Sequence, residues 1–109
     1  MNNTQLITEI KIDSLTEEES RELLELIRSE VDAIDEEITH LLNKRAQKSE
    51  LIGRLKKIIG LHNFSPERER EITESLLNLT APELGRSALL RIFERIIDES
   101  RAIQKRVRK

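Results

Sequence analysis

The stretch LLELIRSEVDAIDEEITHLL (residues 23–42) decides the predicted fold of this chain. Its apolar residues recur at intervals of three and four positions, which is the spacing of one face of an α-helix. Because the same spacing forms the apolar seam of a coiled coil, we expect this helix to pack along another helix. The seam residues are Leu24, Ile27, Val31, Ile34, Ile38 and Leu41.

The predicted helix extends beyond this stretch in both directions. Thr16 and Glu19 have the spacing of a capping box, so we expect the helix to begin at Thr16. The seam continues through Arg45 and Lys48, resumes with apolar residues, and ends before Gly60, a residue type that commonly terminates helices. Such a helix would be on the order of 65 Å long, which exceeds the diameter of a domain of this size. We therefore expect it to pack against a second copy of the chain.

Two further helices are predicted beyond Gly60. Ser65 followed by Pro66 is typical of a helix start. Residues 78–85 contain a Pro and a Gly and are expected to form a connector, after which a third helix runs to about Val107. The apolar stripes of the two helices are Ile72, Leu76 and Leu79, and Leu89, Phe93, Ile96, Ile103 and Val107.

The predicted fold class is therefore all-α, with one very long, one short and one medium helix per chain, in an intertwined homodimer. Residues 1–15 are interpreted as a flexible N-terminal extension, because chain termini often lack fixed structure. Residues 16–109 form the predicted helical domain. The 109 residues leave no room for a second domain of ordinary size.

Composition excludes several classes of function. The chain has no Cys, so thiolate catalysis, disulfides and Cys-ligated metals are excluded, and no cofactor or metal is expected. Its formal net charge of -2 and its two aromatic residues argue against nucleic-acid binding. Because no apolar run approaches the length of a membrane span, we expect no membrane partner and a cytoplasmic location.

Polar residues that interrupt the apolar seams are the candidate site residues. Arg45 and Lys56 fall on one face of the long helix, within about 40° of each other. Ser100 and Gln104 share a face of the third helix, and Arg68 lies in the first turn of the short one. Taken singly, such residues can snorkel to solvent or fix coiled-coil register. Taken together, they predict a pocket for a small dianion, because buried cations are costly without a compensating anion.

The order and spacing of these residues resembles the all-α chorismate mutase family over roughly residues 24–107. The resemblance implies an isomerase that rearranges chorismate to prephenate in aromatic amino-acid biosynthesis, without nucleophile, metal or cofactor. The matching stretches are IRSEVDAIDEEITHLLNKR (27–45), IGRLKK (52–57), SPERERE (65–71) and RIFERIIDESRAIQ (91–104).

The resemblance also implies roles for individual residues. Lys56 and Gln104 match the two donors to the ether oxygen of the breaking bond, and Arg45 matches an arginine that binds substrate in the same chain's site. Arg28 matches an arginine that reaches into the partner chain's site to hold a carboxylate. Arg28 lies about 100° from Ile27 on the helix wheel, which suits a residue that faces another subunit.

The remaining roles concern the first turn of the short helix and the middle of the third. Arg68 and Ser100 match contacts near a substrate carboxylate, and Glu69 matches the acid that accepts from the substrate hydroxyl. Ser65 is expected near that hydroxyl, although the family often has Asp at this position, just before the Pro.

Two other functions remain open from the sequence. One is an isochorismate–pyruvate lyase, which has the same fold and a similar cationic pocket. The other is a non-catalytic helical dimer that acts as a regulatory partner of another enzyme in the same pathway.

Overall fold

A computed structural model describes residues 11–62 and 64–107. Helix α1 comprises Glu17–Ile59, α2 comprises Pro66–Leu77 and α3 comprises Arg86–Val107. Within the described residues, the only other regular element is a short 3-10 helix at Ile12–Ser14, and no strand is present. The predicted all-α fold, with one very long, one short and one medium helix, is confirmed.

Both ends of α1 lie where the sequence predicts them. The backbone N–H of Thr16 donates to Glu19 Oε1 at 3.0 Å, and the N–H of Glu19 donates to Thr16 Oγ1 at 3.1 Å. These reciprocal bonds satisfy two of the backbone donors that a helix start leaves without a helical partner. At the other end, Gly60 has a φ of +75°, and the N–H of Leu61 donates to the carbonyl of Lys56. A left-handed glycine and a closing bond of this kind terminate an α-helix.

The two shorter helices are also delimited by local chemistry. Ser65 caps α2, because its Oγ accepts from the backbone N–H of Arg68 at 3.2 Å. Asn78 is the C-cap of α2, so Leu79, which we assigned to the apolar stripe of this helix, lies beyond its end and is 63% exposed. Gly85 has a φ of +90° and precedes the first residue of α3.

The chain divides into two compact units, Met1–Leu42 and Asn43–Lys109. In the first unit, the part of α1 that begins at Glu17 carries the quoted seam. In the second unit, the rest of α1 joins α2 and α3. The buried apolar residues of the described chain are Leu76 and Ile97, and both belong to the second unit.

Part of the predicted N-terminal extension, residues 1–10, lies outside the described residues, and the flexibility of the extension stays a prediction. None of the helices in residues 11–62 and 64–107 combines the length and apolar character needed to cross a bilayer. The cytoplasmic location also stays a prediction.

Candidate functional site

A cavity of about 900 Å³ lies within the second unit. Its walls come from the second part of α1, the connector that follows it, α2 and α3. Every predicted site residue except Arg28 contributes to these walls. They are Arg45, Lys56, Ser65, Arg68, Glu69, Ser100 and Gln104.

The close approach of α1 to α3 is made at Gly53. A Cβ atom added to Gly53 would lie 2.6 Å from Val107 Cγ2 and 2.9 Å from the Cα of Gln104. Atoms do not approach that closely, so a residue without a side chain is needed for this helix crossing. The crossing brings Lys56, three residues further along α1, next to Gln104.

Lys56 and Gln104 form a direct hydrogen bond within the cavity wall. Lys56 Nζ donates to Gln104 Oε1 at 2.8 Å, and Gln104 is only 8% exposed. Because the ammonium group only donates, this contact requires the amide oxygen of Gln104 to face Lys56. The NH2 end of Gln104 is thereby oriented as a donor. The predicted pair of donors is therefore adjacent, with a defined amide orientation.

One helical turn before Gln104 on α3, at Ser100, a chain of hydrogen bonds joins α1 to α3. Arg45 Nη1 donates to Ser100 Oγ, and Ser49 Oγ donates to the same oxygen at 3.0 Å. These two bonds use the acceptor capacity of the Ser100 hydroxyl, so its proton is left to donate elsewhere. Ser49 is 4% exposed. The Arg45 guanidinium, which has five N–H donors, retains others for a ligand.

The electrostatic environment of Arg45 favours an anion. Burial lowers the pKa of the Arg45 guanidinium, and the positive charge of Arg68 lowers it further. Within residues 11–62 and 64–107, no carboxylate forms an ion pair with Arg45. A half-buried guanidinium without a carboxylate partner is stabilised by a bound anion, and Arg can hold a carboxylate through two parallel bonds.

The first turn of α2 contributes residues of both charges. Arg68 is exposed and pairs with Glu71 at 3.1 Å. Glu69 accepts two bonds from Arg101 of α3, one of them from Nε at 2.8 Å. The Oγ of Ser65 is used as the helix cap, so the substrate contact that we expected of this residue is limited to its remaining hydrogen-bonding capacity.

Arg28 is the predicted site residue that is not brought to this cavity. It belongs to the first unit, its side chain is 64% exposed, and it pairs with Glu25 at 3.2 Å. Its predicted role in a partner chain's site stays a prediction.

Sequence reasoning missed Ser49 and Arg101. Ser49 carries a signal that was available, because it is a small polar residue on the face of α1 that also bears Arg45 and Lys56. The sequence gives no such signal for Arg101, because this residue is adjacent to Ser100 in the chain but lies on a different face of the helix. Its importance depends on contacts with distant residues.

The chain is similar in sequence to two curated proteins. The chain is 40% identical over 91 residues to a bifunctional chorismate mutase/prephenate dehydratase of Aquifex aeolicus (strain VF5), covering 80% of this chain and 25% of that protein. It is 34% identical over 84 residues to a bifunctional chorismate mutase/prephenate dehydratase of Neisseria gonorrhoeae (strain ATCC 700825 / FA 1090), covering 77% of this chain and 23% of that protein. The chain thus spans about a quarter of the length of these curated relatives.

No solved structure matches the chain. The model of the family described as chorismate mutase type II matches residues 27–105, which is most of the sequence and includes all the predicted site residues. The chain belongs to the chorismate mutase type II family.

Proposed function

We propose that this protein is a chorismate mutase, an isomerase that converts chorismate to prephenate in aromatic amino-acid biosynthesis. The observation that carries the proposal is the Lys56–Gln104 pair, with its 2.8 Å bond, in the same cavity as Arg45. The reaction breaks a C–O bond and forms a C–C bond within one molecule, so atoms and electrons balance without any second reactant. Catalysis then depends on how the substrate is held and on where donors point.

The cations of the cavity would select the reactive shape of the substrate. Chorismate carries two carboxylates and is flexible, and it reacts only when its side chain folds over its ring. Arg45 and Arg68 offer guanidinium groups to carboxylates, and Ser100 offers a hydroxyl proton. Fixing both carboxylates favours the folded conformer, which lowers the entropic part of the barrier.

Lys56 and Gln104 would stabilise the transition state. Negative charge grows on the ether oxygen as the C–O bond breaks, and donors aimed at that oxygen bind it more tightly than in the ground state. Lys56 has three N–H donors, and the orientation of Gln104 leaves its NH2 group to donate. By analogy with oxyanion holes, each donor is worth about 3 to 4 kcal/mol.

The test is loss of chorismate absorbance on addition of purified protein, with the product identified as prephenate. We expect fast loss with the wild type and a decrease in kcat/KM of about 100- to 1000-fold for Lys56→Ala. Lys57→Ala is the matched control, because Lys57 is the adjacent exposed lysine and does not line the cavity. Equal activity of the wild type and Lys56→Ala would contradict the assignment of Lys56.

The two alternative functions are separate outcomes of the same experiment. Absence of chorismate turnover, with release of pyruvate from isochorismate, would identify a lyase. Absence of both reactions would favour a non-catalytic helical protein. Such a protein would keep its function when Lys56 and Gln104 are replaced by Leu and Met, which have similar volume but no donors.

We also propose that the enzyme is a homodimer in which α1 packs along α1 of a second copy. The seam of the first unit supports this proposal, because Val31, Ile34 and Leu41 are 47%, 52% and 63% exposed. A continuous apolar face of this kind is unfavourable in water and is typical of an interface. A dimer would also explain the arginine at position 28, which the family resemblance assigns to the partner's site.

Mixing two inactive variants tests the shared site. Arg28→Ala and Lys56→Ala homodimers each lack one residue in both sites. In a heterodimer, one site would regain both residues and the other would lose both. After the subunits exchange at equal amounts, we expect about a quarter of the wild-type activity to return, because half the dimers are then mixed. A mixture that stays as inactive as its components would overturn the donation of Arg28 across the interface.

A further inference from the structure

Arg101, to which no role has been assigned, contacts three separate parts of the described chain. Its Nε donates to Glu69 Oε2 at 2.8 Å, and its Nη2 donates to Glu69 Oε1. Its guanidinium carbon lies 4.6 Å from the centre of the Phe64 ring, and its Nη1 lies 3.6 Å from Asp98 Oδ1. One side chain of α3 thus contacts the connector before α2, the first turn of α2 and its own helix.

This arrangement fixes the carboxylate of Glu69. A two-bond contact with a planar guanidinium sets the direction of a carboxylate, whereas a single bond to an ammonium group does not. The Phe64 ring in turn restricts the orientation of the Arg101 guanidinium, through a cation–π contact. Accepting from Arg101 uses one lone pair on each oxygen and leaves the others available. Glu69 therefore retains acceptor capacity while it is held, and both residues line the cavity.

The partial burial and the charge of the Glu69–Arg101 pair support a role beyond that of a surface ion pair. The side chains of Glu69 and Arg101 are 25% and 40% exposed, whereas those of the Arg95–Glu99 pair on α3 are 58% or more exposed. The bond to Glu69 raises the pKa of Arg101 above its ordinary value. Arg101 therefore stays charged throughout the pH range in which the enzyme can be assayed.

We propose that Arg101 is a positioning residue that holds the Glu69 carboxylate towards the cavity, where it accepts a hydrogen bond from the ring hydroxyl of the substrate. This inference rests on the function proposed above. Arg101 itself acts through Glu69 and does not contact the reacting atoms. This role differs from a purely structural contact between α2 and α3. It predicts that the loss of activity caused by a substitution of Arg101 depends on the substrate hydroxyl.

The test compares two substrates, chorismate and its deoxy analogue without the ring hydroxyl. For Arg101→Gln we expect kcat/KM on chorismate to decrease by about 10- to 100-fold, the range for a hydrogen bond to a charged group. KM should carry most of the change, since the hydroxyl is bound in both the ground state and the transition state. On the deoxy analogue, the variant and the wild type should agree within about threefold. Arg101→Lys should restore only part of the loss, because a point charge does not form the two-bond contact.

Glu69→Gln supplies a second line of proof. If Arg101 acts through Glu69, the double variant should lose no more activity on chorismate than Glu69→Gln alone. Arg95→Gln is the matched control, because it removes an exposed arginine from the same helix, and it should leave both substrates unaffected. Thermal unfolding of each variant shows whether it is folded. If Arg101→Gln does not fold, the activities of Arg101→Lys on chorismate and on the deoxy analogue are compared instead.

The outcomes separate this inference from the proposed function. A wild type without activity on chorismate would overturn both. An active wild type, together with an equal loss on both substrates, would overturn only the positioning role and leave Arg101 as a structural tie. Additive losses in the double variant would have the same meaning.

Discussion

The two parts of α1 have the same kind of sequence pattern but different surroundings. The part within the first unit, residues 17–42, has an apolar residue at nearly every seam position, and most of these side chains are exposed. The part within the second unit, residues 43–59, has Arg45, Ser49 and Lys56 on the corresponding face, and there Ser49 and Gly53 are buried. The more polar part of the helix is thus the part that buries residues against its own chain.

This difference shows that seam composition alone does not predict burial within a chain. Polar residues in the second part are tolerated because α3 supplies partners, such as Ser100 for Arg45 and Gln104 for Lys56. Apolar residues in the first part are unfavourable in water unless another surface covers them. We interpret the first part as an interface and the second as a site, and the following predictions test this division.

The largest effect is expected from Ile34→Asp, which puts a carboxylate on the seam of the first part. If a second copy covers this seam, each dimer buries two new unpaired charges. The cost is roughly 4 kcal/mol or more, about a thousandfold in the dissociation constant. Light scattering at micromolar concentration should show monomers, and activity should be lost with the dimer.

Ala33→Asp is the control, since position 33 is outside the seam and should tolerate the same residue. If Ile34→Asp has the oligomeric state and the activity of the wild type, the first part of α1 is not an interface. The division would then fail.

The next effect concerns Gln104→Glu in the second part. The wild type should have nearly constant activity from mildly acidic to mildly basic pH, because the Gln104 amide does not titrate there. A Glu at this position donates only when protonated, so the activity of the variant should rise as the pH falls. At pH 8 we expect kcat to be about 100- to 1000-fold below the wild type, the value for one lost donor.

Rate profiles from pH 4.5 to 8.5 measure this effect. An ordinary Glu has a pKa of about 4.3, so the fraction of protonated side chain increases towards the acidic end of this range. Gln47→Glu, the same exchange at an exposed position of α1, should keep the wild-type profile. Full activity of Gln104→Glu at pH 8 would remove Gln104 from the reaction.

These two regions also show what the sequence could predict. The ends of α1 were predictable because their chemistry is local: Thr16 and Glu19 are three residues apart, and Gly60 acts through its own backbone. Arg45, Lys56, Ser100 and Gln104 were predicted to lie together as polar interruptions of two seams, and all four line one cavity, while their roles in a reaction stay predictions. Ser49 was missed although it shares the helical face of Arg45 and Lys56. The role of Arg101 was not predictable, because it lies off the face of Ser100 and Gln104 and its partner Glu69 is 32 residues away. Leu79 was wrongly assigned because regular spacing continues past Asn78, where the helix ends.

Gly53→Ala tests the packing of the second part with a smaller change. The added methyl group would lie 2.6 Å from Val107 Cγ2 and 3.1 Å from the backbone oxygen of Gln104. The helices must separate to accept it, at a cost of about 1 to 3 kcal/mol in the free energy of unfolding. Because the separation moves Gln104 from Lys56, kcat should also decrease. Urea unfolding and steady-state kinetics measure the two effects.

Gly85→Ala is the comparison for that variant. A Cβ at Gly85 meets no atom within 4 Å, but its φ of +90° disfavours a side chain. We expect a loss of about 1 kcal/mol in stability without a change in kcat. If Gly53→Ala also left kcat unchanged, the close approach of α1 and α3 would not be what aligns Lys56 with Gln104.

The smallest effect is expected at the start of the first part, from Thr16→Ala. The variant loses the Oγ1 that accepts from the N–H of Glu19, and we expect a cost of about 1 kcal/mol in the free energy of unfolding. Thr39→Ala is the contrasting variant, because Thr39 Oγ1 bonds to the Asp35 carbonyl inside the helix, where Ala is the better helix former. It should be neutral or slightly stabilising.

The capping box also gives the Thr16→Ala effect a pH dependence. Accepting from the backbone N–H of Thr16, and then its bond with the Thr16 side chain, lower the pKa of Glu19. A carboxyl with a lowered folded-state pKa stabilises the folded protein above its unfolded-state pKa, and this contribution is lost as the pH falls through the lowered value. The variant keeps the backbone N–H at position 16, so it loses only the part of this contribution that comes from the Thr16 side chain. Urea unfolding should therefore show a modestly larger difference between wild type and Thr16→Ala at pH 7 than in strongly acidic solution. An equal difference at both pH values would mean that the Thr16 side chain does not affect the pKa of Glu19.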